Sequence, residues 1–239
     1  MTTSTANKQL SDAARDGDVA TVQKLLREGV DTKAHHSDAL WWAARNGHTE
    51  CVRLLIPHSD PKVCESLALR RAAEEGHADC VKMLIAVSDP KARDSEALRL
   101  AAEHGHTECV RLLIPVSHPH TSHTGALLEA SRSGHADIVS LLIPHADPKA
   151  HDSAPLQAAA CNGHIECVRV LIPHSEPTAK NSVALFWAAY RGQFDFVYLL
   201  FDVSEPPAAL ETMQALLAER HQQPHDYPGM VYLQQKIHA

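Results

Sequence analysis

Apolar residues along this chain come in short bursts, and the bursts themselves recur. In SDALWWAARNGHTECVRLLIPHSDPK, Leu40, Ala43 and Ala44 stand three, then one apart, so Leu40 is three and four residues from the alanines, the spacing of one helical face. A polar break around Gly47 follows, then the apolar run CVRLLI. The same pattern returns in SEALRLAAEHGHTECVRLLIPVS and SAPLQAAACNGHIECVRVLIPHSEP. Gly17, Gly47, Gly76, Gly105, Gly134, Gly163 and Gly192 set the register, the last six separated by 29 residues each. One unit of two helices has been copied seven times.

Ten residues before each glycine stands a residue that favours helix N-caps: Asn7, Ser37, Ser66, Ser95, Thr124, Ser153 and Ser182. These are expected to open the first helix of each pair. The alanine pairs make its face flat enough for close packing, and the glycine ends the helix where the chain reverses. Glu50, Asp79, Glu108 and Asp137 place a carboxylate in the first turn of the second helix, where the helix dipole favours it. Pro57, Pro115, Pro144 and Pro173 then stop that helix after about two and a half turns. The SDPK connector supplies the turn back. No pair can bury its own apolar face, so successive pairs must stack into a continuous core.

At AAxxGHxxxVxxLL the chain resembles the ankyrin repeat, over roughly residues 7 to 202. The resemblance implies an all-α, ankyrin-type helical repeat solenoid of about seven helix pairs. The period departs from the family's usual value of about 33, which implies connecting fingers shortened to tight loops. The histidine that the family carries just after the first-helix leucine is replaced by Trp41, Arg70, Arg99, Leu128, Gln157 and Phe186. The histidine directly after five of the glycines, at His48, His77, His106, His135 and His164, is architectural on the same resemblance.

The domain reading is an N-terminal capping repeat over 1–36, ankyrin-like repeats over 37–203, and a C-terminal capping helix and tail over 204–239. Thr21 and Lys24 occupy the places of Cys51 and Leu54, so the second-helix face of the first unit can meet water. Leu210, Met213, Leu216 and Leu217 share one side of a closing helix. The tail YPGMVYLQQKIHA either docks on that cap or makes a separate contact. The N-terminus shows no signal peptide, and no apolar run approaches the roughly 18 residues of a membrane span. A cytoplasmic protein without membrane insertion is expected, with export by a non-classical route left open. A formal charge of -7 argues against nucleic acid as partner.

Residue types that suggest chemistry mostly dissolve into the repeat. Cys51, Cys80, Cys109 and Cys167 sit four residues after the glycine, where other units carry Ile138 and Phe196, so these are core thiols rather than disulfide partners. Cys64 and Cys161 lie outside that series. His118, His120 and His123 in SHPHTSH offer three imidazoles, and a metal-responsive protein using them is the alternative to a binding module. No fourth ligand is assignable from spacing, and drift of the repeat explains the same residues. No phosphate loop, GxSxG, HExxH or CxxC occurs, and no cofactor is implied.

On the first helix, positions five and two before the glycine point away from the leucine and alanines. The first row reads Trp42, Arg71, Leu100, Glu129, Ala158, Trp187 and the second Arg45, Glu74, Glu103, Arg132, Cys161, Tyr190. Residues two before the glycine match recognition positions in ankyrin repeats, by resemblance. Trp42, Arg45, Arg71, Glu74, Arg99, Leu100, Glu103, Arg132, Trp187 and Tyr190 are therefore the candidate partner-binding residues, on a concave first-helix surface. The chain is expected to be a monomer that binds another protein as adaptor, inhibitor or effector.

Overall fold

The computed structural model describes residues 3–118, 121–191, 193–204 and 228–238, with 207, 209–211 and 214 as isolated positions between the last two segments. Among these residues there is no strand. Helices come in pairs: α1 (Thr3–Asp16) with α2 (Val19–Arg27), α3 (Ala34–Arg45) with α4 (Thr49–Leu55), and α5 (Val63–Glu74) with α6 (Ala78–Ile85). Next come α7 (Ala92–Glu103) with α8 (Thr107–Leu113), α9 (Thr121–Ser133) with α10 (Ala136–Leu142), and α11 (Ala150–Asn162) with α12 (Ile165–Leu171). The last pair is α13 (Ala179–Tyr190) with α14 (Phe194–Phe201), and α15 (Pro228–Ile237) follows it. A second helix such as α4 has only 7 residues. Helices that short do not persist alone in water, so packing must hold them.

The packing uses the same side chains in every pair. Leu40, Ala43 and Ala44 of α3 and Cys51, Val52 and Leu55 of α4 are buried, as are their equivalents in later pairs, for example Leu98, Ala101, Ala102, Cys109, Val110 and Leu113. Each buried leucine contributes about 1.5–3 kcal/mol. In α9 the second alanine is Ser131, whose hydroxyl stays buried by donating to the Leu127 carbonyl at 2.6 Å.

Between the two helices of a pair, Gly47 takes φ 74° and the His48 N–H donates to the Ala43 carbonyl at 2.9 Å. The same bond runs from His77 to Ala72 and from His106 to Ala101, closing each first helix with a Schellman turn. In the repeats with an Ile-Pro pair the second α-helix stops before the isoleucine, and the pair begins a single 3-10 turn such as Ile56–His58. Asp60 Oδ1 then accepts the Lys62 N–H at 3.0 Å, and Asp31, Asp89 and Asp147 do the same for Lys33, Lys91 and Lys149. These Asx turns replace the longer finger.

The expected serine N-caps are not found. Each serine ends a run of three left-handed residues: His35, His36 and Ser37; Cys64, Glu65 and Ser66; Arg93, Asp94 and Ser95; His151, Asp152 and Ser153. Its hydroxyl turns to the connector 23 residues on. Ser37 Oγ accepts the Asp60 N–H at 3.1 Å, Ser66 the Asp89 N–H at 2.8 Å, Ser95 the His118 N–H at 2.9 Å and Ser153 the Glu176 N–H at 2.8 Å. The physical reason is satisfaction of a connector N–H that the loop itself leaves without an acceptor. Asn7 and Thr124 also lie inside helical spans, as does Ser182, whose side chain lies outside the described residues.

The chain divides into two compact units, residues 1–126 and 127–239. Within the first, α1, α3, α5 and α7 pack in series, and so do α2, α4, α6 and α8. Within the second, α10, α12 and α14 pack in series, and α11 packs on α13. Each is a run of helix pairs, the construction of a helical repeat solenoid. The tail docks: α15 lies on α13 and α14, with Leu233 fully buried. Of the expected closing helix, Leu210 is buried, while Met213, Leu216 and Leu217 fall outside the described residues.

Two substitutions test this construction. His36 is exposed at φ 61°, where an L-residue carries about 1–2 kcal/mol of strain. His36→Gly is expected to raise, and His36→Val to lower, the unfolding midpoint in denaturant, each by about 1 kcal/mol equivalent. A Cβ added at Gly229 would overlap the Ala189 carbonyl. Gly229→Ala is expected to cost about 1–3 kcal/mol of docking and to open the C-terminal helix to proteolysis.

Candidate protein-interaction surface

The two first-helix rows start from the same helical arithmetic that builds the core. In α3, Ala43 and Ala44 are fully buried while Trp42 and Arg45, on either side of them, are half-buried. In the first unit Arg71, Glu74 and Leu100 are half-buried and Glu103 exposed. In the second, Trp187 and Tyr190 are half-buried and Arg132 exposed.

The backbone beneath the second row is held from the following repeat. His48 Nε2 donates to the Arg15 carbonyl, His106 Nε2 to that of Glu74 and His164 Nε2 to that of Arg132, each at 2.9 Å. Arg15, Glu74 and Arg132 all stand two residues before a repeat glycine. The carbonyls at a helix C-terminus lack intrahelical partners, and here the architectural histidine supplies one. The outward side chains therefore project from a fixed frame.

In the first unit the row is organised around Trp42. Its ring has the Arg15 guanidinium at 5.9 Å on the centroid and that of Arg45 at 5.7 Å, and it stacks on Trp41 at 4.1 Å. Cation–π contacts of this kind are worth about 0.5–1 kcal/mol at exposed sites. Arg45 Nε also donates to Glu75 at 3.3 Å, and Arg71 to Glu74 at 2.6 Å. Arg15 is the residue that reading the rows from the second repeat onwards misses; counting two back from Gly17 finds it. In the second unit Trp187 meets Phe186 and Tyr190 edge-on at 5.0 and 5.9 Å, and Arg132 pairs with Glu129 at 2.8 Å.

The position after the first-helix leucine does different work. Arg70 donates to the Cys64 and Glu65 carbonyls at 2.9 and 3.1 Å and to Glu96 at 2.5 Å. Gln157 donates to the Asp152 carbonyl at 2.6 Å, and Trp41 Nε1 to Asp38 at 2.8 Å. These three carbonyl contacts tie down the left-handed turn that opens the first helix. Arg99, in the same series, is half-buried with its stem alongside Gly125.

Cys51, Cys80, Cys109 and Cys167 are buried free thiols, Cys161 is half-buried and Cys64 exposed. Burial pushes the Cys109 and Cys167 thiols up to about 11, with Glu108 and Glu166 adding to the effect. His123 is buried with Nε2 facing the Ile114 carbonyl at 3.3 Å; His118 donates its backbone N–H to Ser95, and His120 lies outside the described residues. Among the described residues no three His, Cys, Asp or Glu side chains group as metal ligands would, and no helix is long and apolar enough to cross a membrane.

A family model described as ankyrin repeats in three copies matches residues 10–94, 69–152 and 127–208. The chain is 39% identical over 54 residues to the ankyrin repeat and KH domain-containing protein mask-1 of Caenorhabditis elegans, a match covering 23% of this chain and 2% of that protein. Its fold is similar to the crystal structure of the human ASB11 ankyrin repeat domain, with a TM-score of 0.59 and 20% identity, over 73% of this chain and 95% of that one.

The thiol environments lead to a labelling and titration experiment. In the folded protein Cys64 is expected to react rapidly with a maleimide and the four serial cysteines only on unfolding, as read by mass spectrometry of modified peptides. Because folding raises the Cys109 and Cys167 values, the stability linked to them is complete below the ordinary thiol value of about 9 and is lost as pH rises towards 11. The unfolding midpoint should fall less over that window in Cys109→Val/Cys167→Val, a branched apolar residue already being accommodated at Ile138.

Proposed function

The chain belongs to the ankyrin-repeat family, and we propose that it is a non-catalytic module that grips another protein through the outward rows of its first helices. Repeats of this family generally mediate protein–protein contacts, and their fold typically serves as a scaffold rather than an enzyme. The observation that carries the reading is the contrast inside each first helix. Leucine and alanine recur on the buried side, while the outward positions change from repeat to repeat and hold Trp42, Arg71 and Trp187. Tryptophan, tyrosine and arginine are the residues that most often dominate binding energy.

In the first unit the proposed contact is Trp42 with Arg45, Arg71, Glu74, Leu100 and Glu103, Arg99 adding charge beside them. In the second it is Trp187 and Tyr190 with Arg132. Trp42 is already contacted by two guanidinium groups and the Trp41 ring, so little side-chain entropy is lost when a partner covers it. The net charge of -7 favours a protein partner over nucleic acid.

The test separates binding from folding. With a partner captured from native lysate and purified, Trp42→Ala and Trp187→Ala are each expected to weaken binding by about 2 kcal/mol, roughly thirtyfold, in calorimetry. Their unfolding midpoints should stay close to the parent's. Leu98→Ala should do the opposite, losing about 2–5 kcal/mol of stability with little change in affinity of the folded fraction. Full affinity in both tryptophan variants would move the contact away from the first helices.

A further inference from the structure

The repetition of the chain is its own control, because a residue that leaves the pattern does so against six other copies of the same backbone. Six residues after the repeat glycine the chain carries Arg53, Lys82, Arg111, Ser140 and Arg169, and then, in the last repeat, Tyr198. Nine after it an isoleucine recurs, as at Ile143 and Ile172, until Phe201. Ten after it stand Pro57, Ala86, Pro115, Pro144 and Pro173, and then Asp202. These three departures converge in space. Tyr198, Phe201 and Asp202 of the last second helix and its end, with Tyr232 and Lys236 of α15, line an open cavity of about 330 Å³ within the second unit.

Packing explains only part of this change. Phe201 and Tyr232 are half-buried where α15 lies on α14, as a larger ring between two helices would be. Tyr198 is 71% exposed, the most exposed large apolar side chain among the described residues. Its ring face is occupied by a cation from the chain itself, Lys236 Nζ at 6.0 Å from the centroid.

We propose that this cavity binds an arginine side chain presented by a protein partner. A guanidinium can stack on a tyrosine face and fork to a carboxylate at once, and the cavity offers both, in Tyr198, Tyr232 and Asp202. Long-range charge points the same way. Residues 127–239 carry 7 Lys and Arg against 12 Asp and Glu, whereas residues 1–126 carry 15 against 17, so most of the net negative charge lies in the unit that holds the cavity. Lys236 is then an internal competitor. An ammonium on a flexible stem is strongly hydrated and cannot match the planar fork, so an incoming guanidinium displaces it from the Tyr198 face. The site lies on α14 and α15, apart from the first-helix rows, and stands independently of them.

The experiment uses the full chain with ¹³C-labelled tyrosine rings, titrated with the blocked peptides acetyl-Gly-Arg-Gly-amide and acetyl-Gly-Glu-Gly-amide. The arginine peptide is expected to give saturable shifts at Tyr198 and Tyr232 with Tyr190 unmoved, and the glutamate peptide none. Asp202→Asn should weaken the arginine peptide by about tenfold, and Lys236→Ala should strengthen it by about threefold. Both positions are exposed, and unchanged unfolding midpoints will show that the fold is intact. An equal response to the glutamate peptide, weaker arginine binding in Lys236→Ala, or shifts that do not saturate would each overturn the proposal.

Discussion

The ring of each repeat's histidine lies against the glycine of the repeat before it, and the rest of each unit is arranged around that contact. A Cβ built on Gly17 would stand 2.6 Å from His48 Nδ1, and one on Gly47 2.5 Å from His77 Nδ1. The glycine thus meets two demands at once: a left-handed backbone to close the first helix, and a bare α-carbon for the neighbouring ring. With the ring seated, its other nitrogen reaches the carbonyl two residues before the glycine, as from His48 to Arg15 and from His164 to Arg132. Repeat-to-repeat spacing, helix termination and support of the outward row follow from one pair of residues.

The first and last repeats replace the histidine of that pair. In the first repeat Asp18 replaces the histidine, and its carboxylate caps its own helix by accepting the Thr21 N–H at 3.0 Å. Hydrogen bonds from the Thr21 side chain and backbone hold that carboxyl below its ordinary value. In the last repeat Gln193 takes the place, its amide nitrogen against Gly163. Beyond it, α15 covers α13 with Gly229 pressed on the Ala189 carbonyl, the kind of close approach that another repeat would otherwise make.

Each connector is shortened to an Asx turn and one left-handed turn, and no finger projects from it. Three left-handed residues in succession are costly, and the structure offsets that cost with the buried serine bridge and with side chains such as Arg70 and Gln157 that bond the turn's carbonyls.

By itself the sequence determined the number of helix pairs, their buried leucine, alanine, cysteine and valine positions, the glycine turns and the outward rows, because periodicity depends only on helical geometry and the exclusion of apolar groups from water. It also determined that Cys51, Cys80, Cys109 and Cys167 are interior, since Ile138 and Phe196 fill the same place. What it left to the tertiary structure were contacts between residues far apart in the chain. Ser37 looked like a local cap, and only the folded connector shows that Asp60, 23 residues on, needs its hydroxyl. Arg15 was missed in the sequence, and only the packing of α1 on α3 brings it over Trp42. Tyr198 and Lys236 come together only because α15 docks on the last pair, and docking is decided by shape, by a missing Cβ at Gly229 and a buried Leu233, which no pattern of polar and apolar residues encodes.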